Sequence, residues 1–221
     1  MYLDQHYPFE MVPLNYPLTG FDDFLDFQTM SIHYNQIYKE YIDDLNHLLE
    51  NEKNLQNLTL DEILFNPTYL PAAKRENIIH AANGVYNHQV IFQSMNPNPV
   101  MMVSVELKNA IEKKYHSMRE FYQEFKKACL SLGSCGFVFL VCDEHGDVHI
   151  EKILGSATTV PLNLCPILGI DLYEHAYYLN YKHNIKAYVE QWMKYICFDY
   201  ANQEYDFCLK AIQSEKEQPK S

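Results

Sequence analysis

Apolar and polar positions follow a helical rhythm through residue 132, and the rhythm changes to a pleated one just beyond it. Met30, Ile37, Tyr41, Leu45 and Leu48 recur at helical spacing and predict a long helix from about Phe24 to Glu52. Before it, Pro8, Pro13 and Pro17 predict an extended leader over residues 7–20. Asn54 to Asn57 form a polar break, and Thr59 ahead of Asp61-Glu62-Ile63-Leu64 reads as an N-cap with acids in the first turn. A second long helix is expected from about Ala72 to Ser94. The run Asn96-Pro97-Asn98-Pro99 is the strongest breaker in the chain and divides it into residues 1–95 and 96–221. Val105–Tyr115 and Met118–Leu132 then read as two helices, with Ser117 capping the second.

At Gly136 the character changes. Phe137-Val-Phe-Leu-Val-Cys142 is β-branched and aromatic, Glu144-His-Gly-Asp147 is a turn, and Val148 to Leu154 alternates, so the segment predicts a hairpin. Pro166 to Asp171 supplies a third strand, followed by helices from about His175 to Lys194 and from Tyr200 to Ala211. The expected class is α+β: an N-terminal helical hairpin on a C-terminal α/β lobe, with a small three-stranded antiparallel sheet flanked by helices.

Composition narrows the function. Hydrophobic residues make up 48% and charged residues 21% of 221, which is a globular balance. The formal net charge of -12 argues against nucleic acid and anionic membrane surfaces as partners, since both are recognised by neutralising phosphate. No stretch reaches the length of a membrane span. The six cysteines contain no C-x-x-C pair and read as reduced, mostly buried thiols. The first residues carry neither a secretory nor an organellar pattern, so the cytoplasm is the default compartment, with a mitochondrial address left open.

Three of the ten histidines stand out by their apolar or aromatic settings. His33 begins a face continuing through Ile37 and Tyr41, His88 sits in Val85-Tyr-Asn-His-Gln-Val-Ile-Phe92, and His175 follows Asp171 by four residues at the end of a strand. One turn of helix or a tight loop brings that carboxylate and imidazole onto one ion. Three imidazoles and a carboxylate suit a borderline first-row metal such as Mn or Fe. Taken singly, each of these histidines is better explained as a satisfied core or surface group than as a ligand. His145 and His149, in and beside the hairpin turn, read as solvated.

The segment Asp171-Leu-Tyr-Glu-His-Ala-Tyr-Tyr178 resembles the signature D-x-W-E-H-A-Y-Y of the iron/manganese superoxide dismutases, with Tyr173 in place of Trp. Pro13-Leu-Asn-Tyr16, Met30-Ser-Ile-His33 with Tyr41 and Leu45-Asn46, Asn87-His88, and Ser134-Cys-Gly-Phe137-Val-Phe-Leu-Val resemble further family segments in the same order, from about Phe9 to Asp199. The resemblance implies a site of His33, His88, Asp171 and His175 around one Mn or Fe ion per subunit, with Tyr41 over the substrate channel. It implies a homodimer in which Glu174 of one subunit reaches His175 of the other, and in which Tyr178 crosses the interface. The implied activity is disproportionation of superoxide to dioxygen and hydrogen peroxide by a one-electron shuttle.

The chain departs from the family pattern around that ligand set. The amide that anchors solvent in the family is replaced by Gly84 at one of its two usual places and falls at Ala157 or Thr158 at the other, with Asn163 a nearby amide. Ile37 replaces the histidine that pairs with Tyr178 across the dimer. Phe92, Phe137, Phe139 and Tyr173 replace tryptophans, and Ile185, beside Lys186, replaces an arginine. Two readings follow: an active superoxide dismutase, or a dismutase-like structural subunit of a larger assembly with other protein subunits as partners. The metal is left between the two ions, with a lean to manganese from Gly84, while Val85-Tyr-Asn-His88 resembles the iron pattern.

Overall fold

A computed structural model describes residues 5–21, 23–100 and 102–217, without the side chains of 215–217. Helical backbone begins at α1 (Phe27–Ser31), where the Asp26 carboxylate accepts the Thr29 N–H at 2.8 Å. It continues through a π-helical stretch (Ile32–Tyr38) into α2 (Lys39–Leu49). The expected start at Phe24 therefore moves to Phe27, where the cap sits. The buried face also differs from the expected one. His33, Tyr38, Ile42, Leu45 and Leu49 are buried, whereas Ile37, Tyr41 and Leu48 are only half-buried. A π turn closes on i+5 and holds one residue more than an α turn, which moves the inward face one position along the sequence.

Thr59 caps α3 (Leu60–Phe65) in a full capping box: its hydroxyl accepts the Glu62 N–H, and the Glu62 carboxylate accepts the Thr59 N–H. Helix α4 (Arg75–Gln93) is buried at every position from Ala81 to Phe92. A helix covered on all sides needs no polar stripe, and this one runs through the middle of the molecule against α2, α3 and the sheet. Helices α5 (Val105–Tyr115) and α6 (Met118–Leu132) have the expected bounds; His116 turns left-handed at φ 66° and Ser117 caps α6.

Strands β1 (Gly136–Cys142), β2 (Val148–Leu154) and β3 (Cys165–Asp171) form one antiparallel sheet in the order β2-β1-β3. All seven residues of the central strand β1 are buried, and Phe137 pairs with Asp171 at the far end of β3. The end of α4 is tied to β3 through Ser94, whose hydroxyl accepts the Gly169 N–H at 2.9 Å and donates to the Val90 carbonyl at 2.7 Å.

The expected helix from His175 to Lys194 is in fact three pieces: a 3-10 turn (Glu174–Ala176), α7 (Tyr178–Tyr181) and α8 (Ile185–Trp192). Lys182 adopts φ 52°, a conformation a helix cannot contain, and Asn184 then caps α8 through the Ala187 N–H. Helix α9 (Phe198–Glu217) is longer than the sequence pattern indicated. Among the described residues, no helix is long and apolar enough to cross a membrane.

The cysteines require a correction. Cys165 and Cys208 form a disulfide that joins β3 to α9, with Cα atoms 6.2 Å apart, a separation that suits the bond. Sequence spacing gave no sign of it because the partners lie 43 residues apart and meet only through the docking of α9 on the sheet. Cys129 and Cys142 are buried thiols, Cys197 is partly buried, and Cys135 is exposed.

Candidate metal centre

Four elements deliver one group each to a single point. His33 comes from the π stretch, His88 from the middle of α4, Asp171 from the last position of β3, and His175 from the 3-10 turn that follows. His33, His88 and Asp171 are at most 2% exposed. Asp171 Oδ2 is the hub, at 3.0 Å from His175 Nε2, 3.2 Å from His33 Nε2 and 4.0 Å from His88 Nε2. One ligand-type atom from each of the four residues lies within 4.8 Å of the others.

Neighbouring backbone sets the orientation of two of these groups. The Tyr173 N–H donates to Asp171 Oδ1 at 2.8 Å, which turns Oδ2 toward the imidazoles. His88 Nδ1 lies 2.7 Å from the Gly84 carbonyl, which can only accept, so Nδ1 carries the proton and Nε2 presents a bare lone pair. His33 Nε2 and His88 Nε2 are buried without a hydrogen-bond partner. Such orphaned groups are costly in a folded interior, and here two of them face the same carboxylate oxygen. A cation between them would satisfy both, and three imidazole nitrogens with one carboxylate form a donor set that fits Mn or Fe.

Protonation at His33 and His88 favours the same chemistry. Burial pushes His88 down to about 3, with the neighbouring His33 adding to the effect. His33 is likewise lowered by burial. Burial also works against the Asp171 carboxylate, yet the His175 and His33 imidazoles hold it well below the usual carboxylate range. His175 has burial against its charged form and Asp171 in its favour, and Asp171 prevails, raising it. At neutral pH His33 and His88 are therefore neutral, the form that ligates.

A cleft of about 230 Å³ opens beside this cluster, floored by His88 and His175 and walled by Tyr41, Phe137 and Tyr173. Tyr41, the expected channel residue, lies with its ring 5.3 Å from that of His88. It fits there because residue 84 has no side chain: a Cβ on Gly84 would fall 2.2 Å from Tyr41 Cδ1. Gly84→Ala is expected to lower stability by about 1–2 kcal/mol, because overpacking the Tyr41 ring outweighs the better helix propensity of alanine. Urea unfolding measures this, and an unchanged midpoint would mean that the ring yields without cost.

Aromatic groups enclose the cluster. Tyr173 stacks on His175 at 5.5 Å, Phe92 lies 4.9 Å from the His33 ring, and Phe137 meets Tyr173 edge-on at 5.5 Å. Phe139 joins this wall through Phe137, on which its ring stacks at 6.1 Å. Tyr38, stacked on His88 at 5.7 Å, was missed by sequence reasoning, since an uninterrupted α-helix would have turned it off the face of His33.

The three anticipated amide positions contribute no donor here. Ala157 offers its carbonyl to Asn87 Nδ2 at 2.9 Å, Thr158 Oγ1 accepts the Val160 N–H at 3.0 Å, and Asn163 lines a separate cavity near Cys165 and Cys208. Asn87, an amide that the sequence reading did not single out, does line the cleft, and its Oδ1 is buried without a partner. Its signals were adjacency to His88 and the resemblance of Asn87-His88 to a family segment. Glu174 and Tyr178 are exposed.

Family models for the iron/manganese superoxide dismutases match almost the whole chain, the alpha-hairpin domain over residues 8–96 and the C-terminal domain over residues 103–204. Superoxide dismutase [Mn] 3 of Leptolyngbya boryana is 28% identical over 198 residues, covering 90% of this chain and 83% of that protein. Superoxide dismutase [Mn] of Thermus aquaticus is 28% identical over 90% of this chain and 98% of its own. Superoxide dismutase [Mn] 2 of Bacillus anthracis is 28% identical over 94% of this chain and 98% of its own. With the helical hairpin, the three-stranded sheet and the His/Asp cluster between them, these matches establish that the chain belongs to the iron/manganese superoxide dismutase family.

Proposed function

We propose that this protein is a superoxide dismutase that holds one Mn or Fe ion per subunit through His33, His88, Asp171 and His175. The observation that carries this reading is the convergence of two orphaned Nε2 atoms on Asp171 Oδ2, with His175 on the same oxygen. Manganese is preferred, because the relatives above are named as manganese enzymes. Bound there, the ion would supply a one-electron couple: one superoxide gives up its electron and leaves as dioxygen, and a second accepts it and leaves, with two protons, as hydrogen peroxide.

The protein's part is orientation and exclusion. The Gly84 carbonyl fixes the tautomer of His88, and the Tyr173 N–H fixes the rotation of the Asp171 carboxylate. Tyr38 and Phe92 keep water from the inner side of the cluster, so that access is through the cleft beside Tyr41. Exposed Glu174 and Tyr178 adjoin His175 in sequence, and with a second copy they would form the interface of a homodimer.

Metal analysis of natively expressed protein, followed by superoxide consumption assays of Mn- and Fe-loaded samples, tests the reading. One ion per chain is expected, with turnover lost in His175→Ala and retained in His145→Ala, whose side chain lies exposed in the hairpin turn. Stoichiometric metal without turnover would overturn it in favour of a dismutase-like structural subunit.

A further inference from the structure

We infer that His80, steadied by Ser156 at the mouth of the cleft, is the residue that receives the anionic substrate; this rests on the dismutase reading above. Residues lining the cleft include no lysine or arginine among the described residues. Of its nitrogen donors, His88 and His175 belong to the four-residue cluster, and Asn87 is fully buried with one of its two Nδ2 hydrogens on the Ala157 carbonyl. His80 is the remaining one. It is exposed, whereas Tyr41 and Tyr173 are half-buried, so it is the outermost polar group an entering molecule meets.

His80 also connects to the cluster. It lies on α4 two turns before His88, and its ring sits 5.6 Å from that of Tyr41, which in turn lies 5.3 Å from the His88 ring. Three rings thus lead from solvent to a ligand. Ser156, which also lines the cleft, has its Oγ 3.4 Å from His80 Nδ1. In the tautomer that accepts from this hydroxyl at Nδ1, the proton rests on Nε2 and is free to donate to an anion.

Electrostatics explains why such a donor matters. A chain of formal net charge -12 repels superoxide at long range, so capture depends on a local contact at the entrance. Ser156 is a positioning residue in this arrangement, and His80 is the group that touches the anion.

Azide, an anion that binds open metal sites, is the probe. Metal-loaded unsubstituted protein, His80→Leu and His80→Gln are mixed rapidly with azide and its uptake is followed by visible absorption, with metal content and melting temperature checked on each. Without the entrance contact, His80→Leu should take up azide about tenfold more slowly at equal metal content. Its kcat/KM should fall by a similar factor while kcat stays within about twofold. His80→Gln, which keeps an N–H donor, should recover most of the rate. An azide uptake rate unchanged in His80→Leu, or a loss of metal that accounts for the change, would overturn the assignment. If the unsubstituted protein binds metal and azide yet consumes no superoxide, the dismutase reading fails, while the azide comparison still decides whether His80 receives anions.

Discussion

Asp171→Asn should leave the chain folded and reduce both its metal affinity and its turnover by more than about a hundredfold, since loss of supporting contacts alone commonly costs ten to a hundred. Asparagine has nearly the same shape, and its carbonyl oxygen can still accept the Tyr173 N–H that orients residue 171. What disappears is the charge. The carboxylate is fully buried at the centre of three imidazoles, and its charge acts on His175 against the effect of burial. With an amide there, three neutral nitrogens would face a dication or trication without any anionic ligand. Metal content by elemental analysis and superoxide consumption check the result together; normal metal content in Asp171→Asn would rule out its place in the coordination set.

Cys208→Ser is expected to give the largest loss of stability, about 4 kcal/mol from the loop entropy of a bridge spanning 43 residues. For a chain of this size that corresponds to a melting temperature lower by roughly 8–16 °C. Reductant should lower the unsubstituted protein by the same amount and leave Cys208→Ser unaffected; equal sensitivity of both would remove the bridge from the account. Cys142, whose backbone pairs with that of Cys165, is the nearest competitor for the bond. Burial, with Asp143 and Asp147 nearby, pushes its thiol up to about 12, so it stays protonated and does not attack the disulfide at neutral pH.

Much of this architecture was legible because local signals and tertiary structure agree. Thr59 and Ser117 cap where their side chains and the following acids suggested, and the change of rhythm at Gly136 marks the first strand. The misses arose where a single residue overrode a periodic pattern. A left-handed Lys182 interrupts what reads as one helix, and the π stretch at Ile32–Tyr38 brings Tyr38 rather than Ile37 inward. The cluster was legible through its setting and its family resemblance, since spacing alone left each histidine with an ordinary explanation. The Cys165–Cys208 bond and the cleft-lining His80 were not, because both depend on how distant segments dock.

That extra residue between Ile32 and Tyr38 also sets an azimuth. On an uninterrupted α-helix, His33 and Tyr41 would point about 80° apart, eight steps of about 100° each. Absorbing one residue in the wide turn leaves the pair about seven steps apart, within about 20° of a common meridian. Both rings then meet His88 from the same rod, at 5.1 and 5.3 Å between centroids. A single helical rod thereby supplies one imidazole of the candidate metal cluster and, two turns further on, a wall of the cleft beside it.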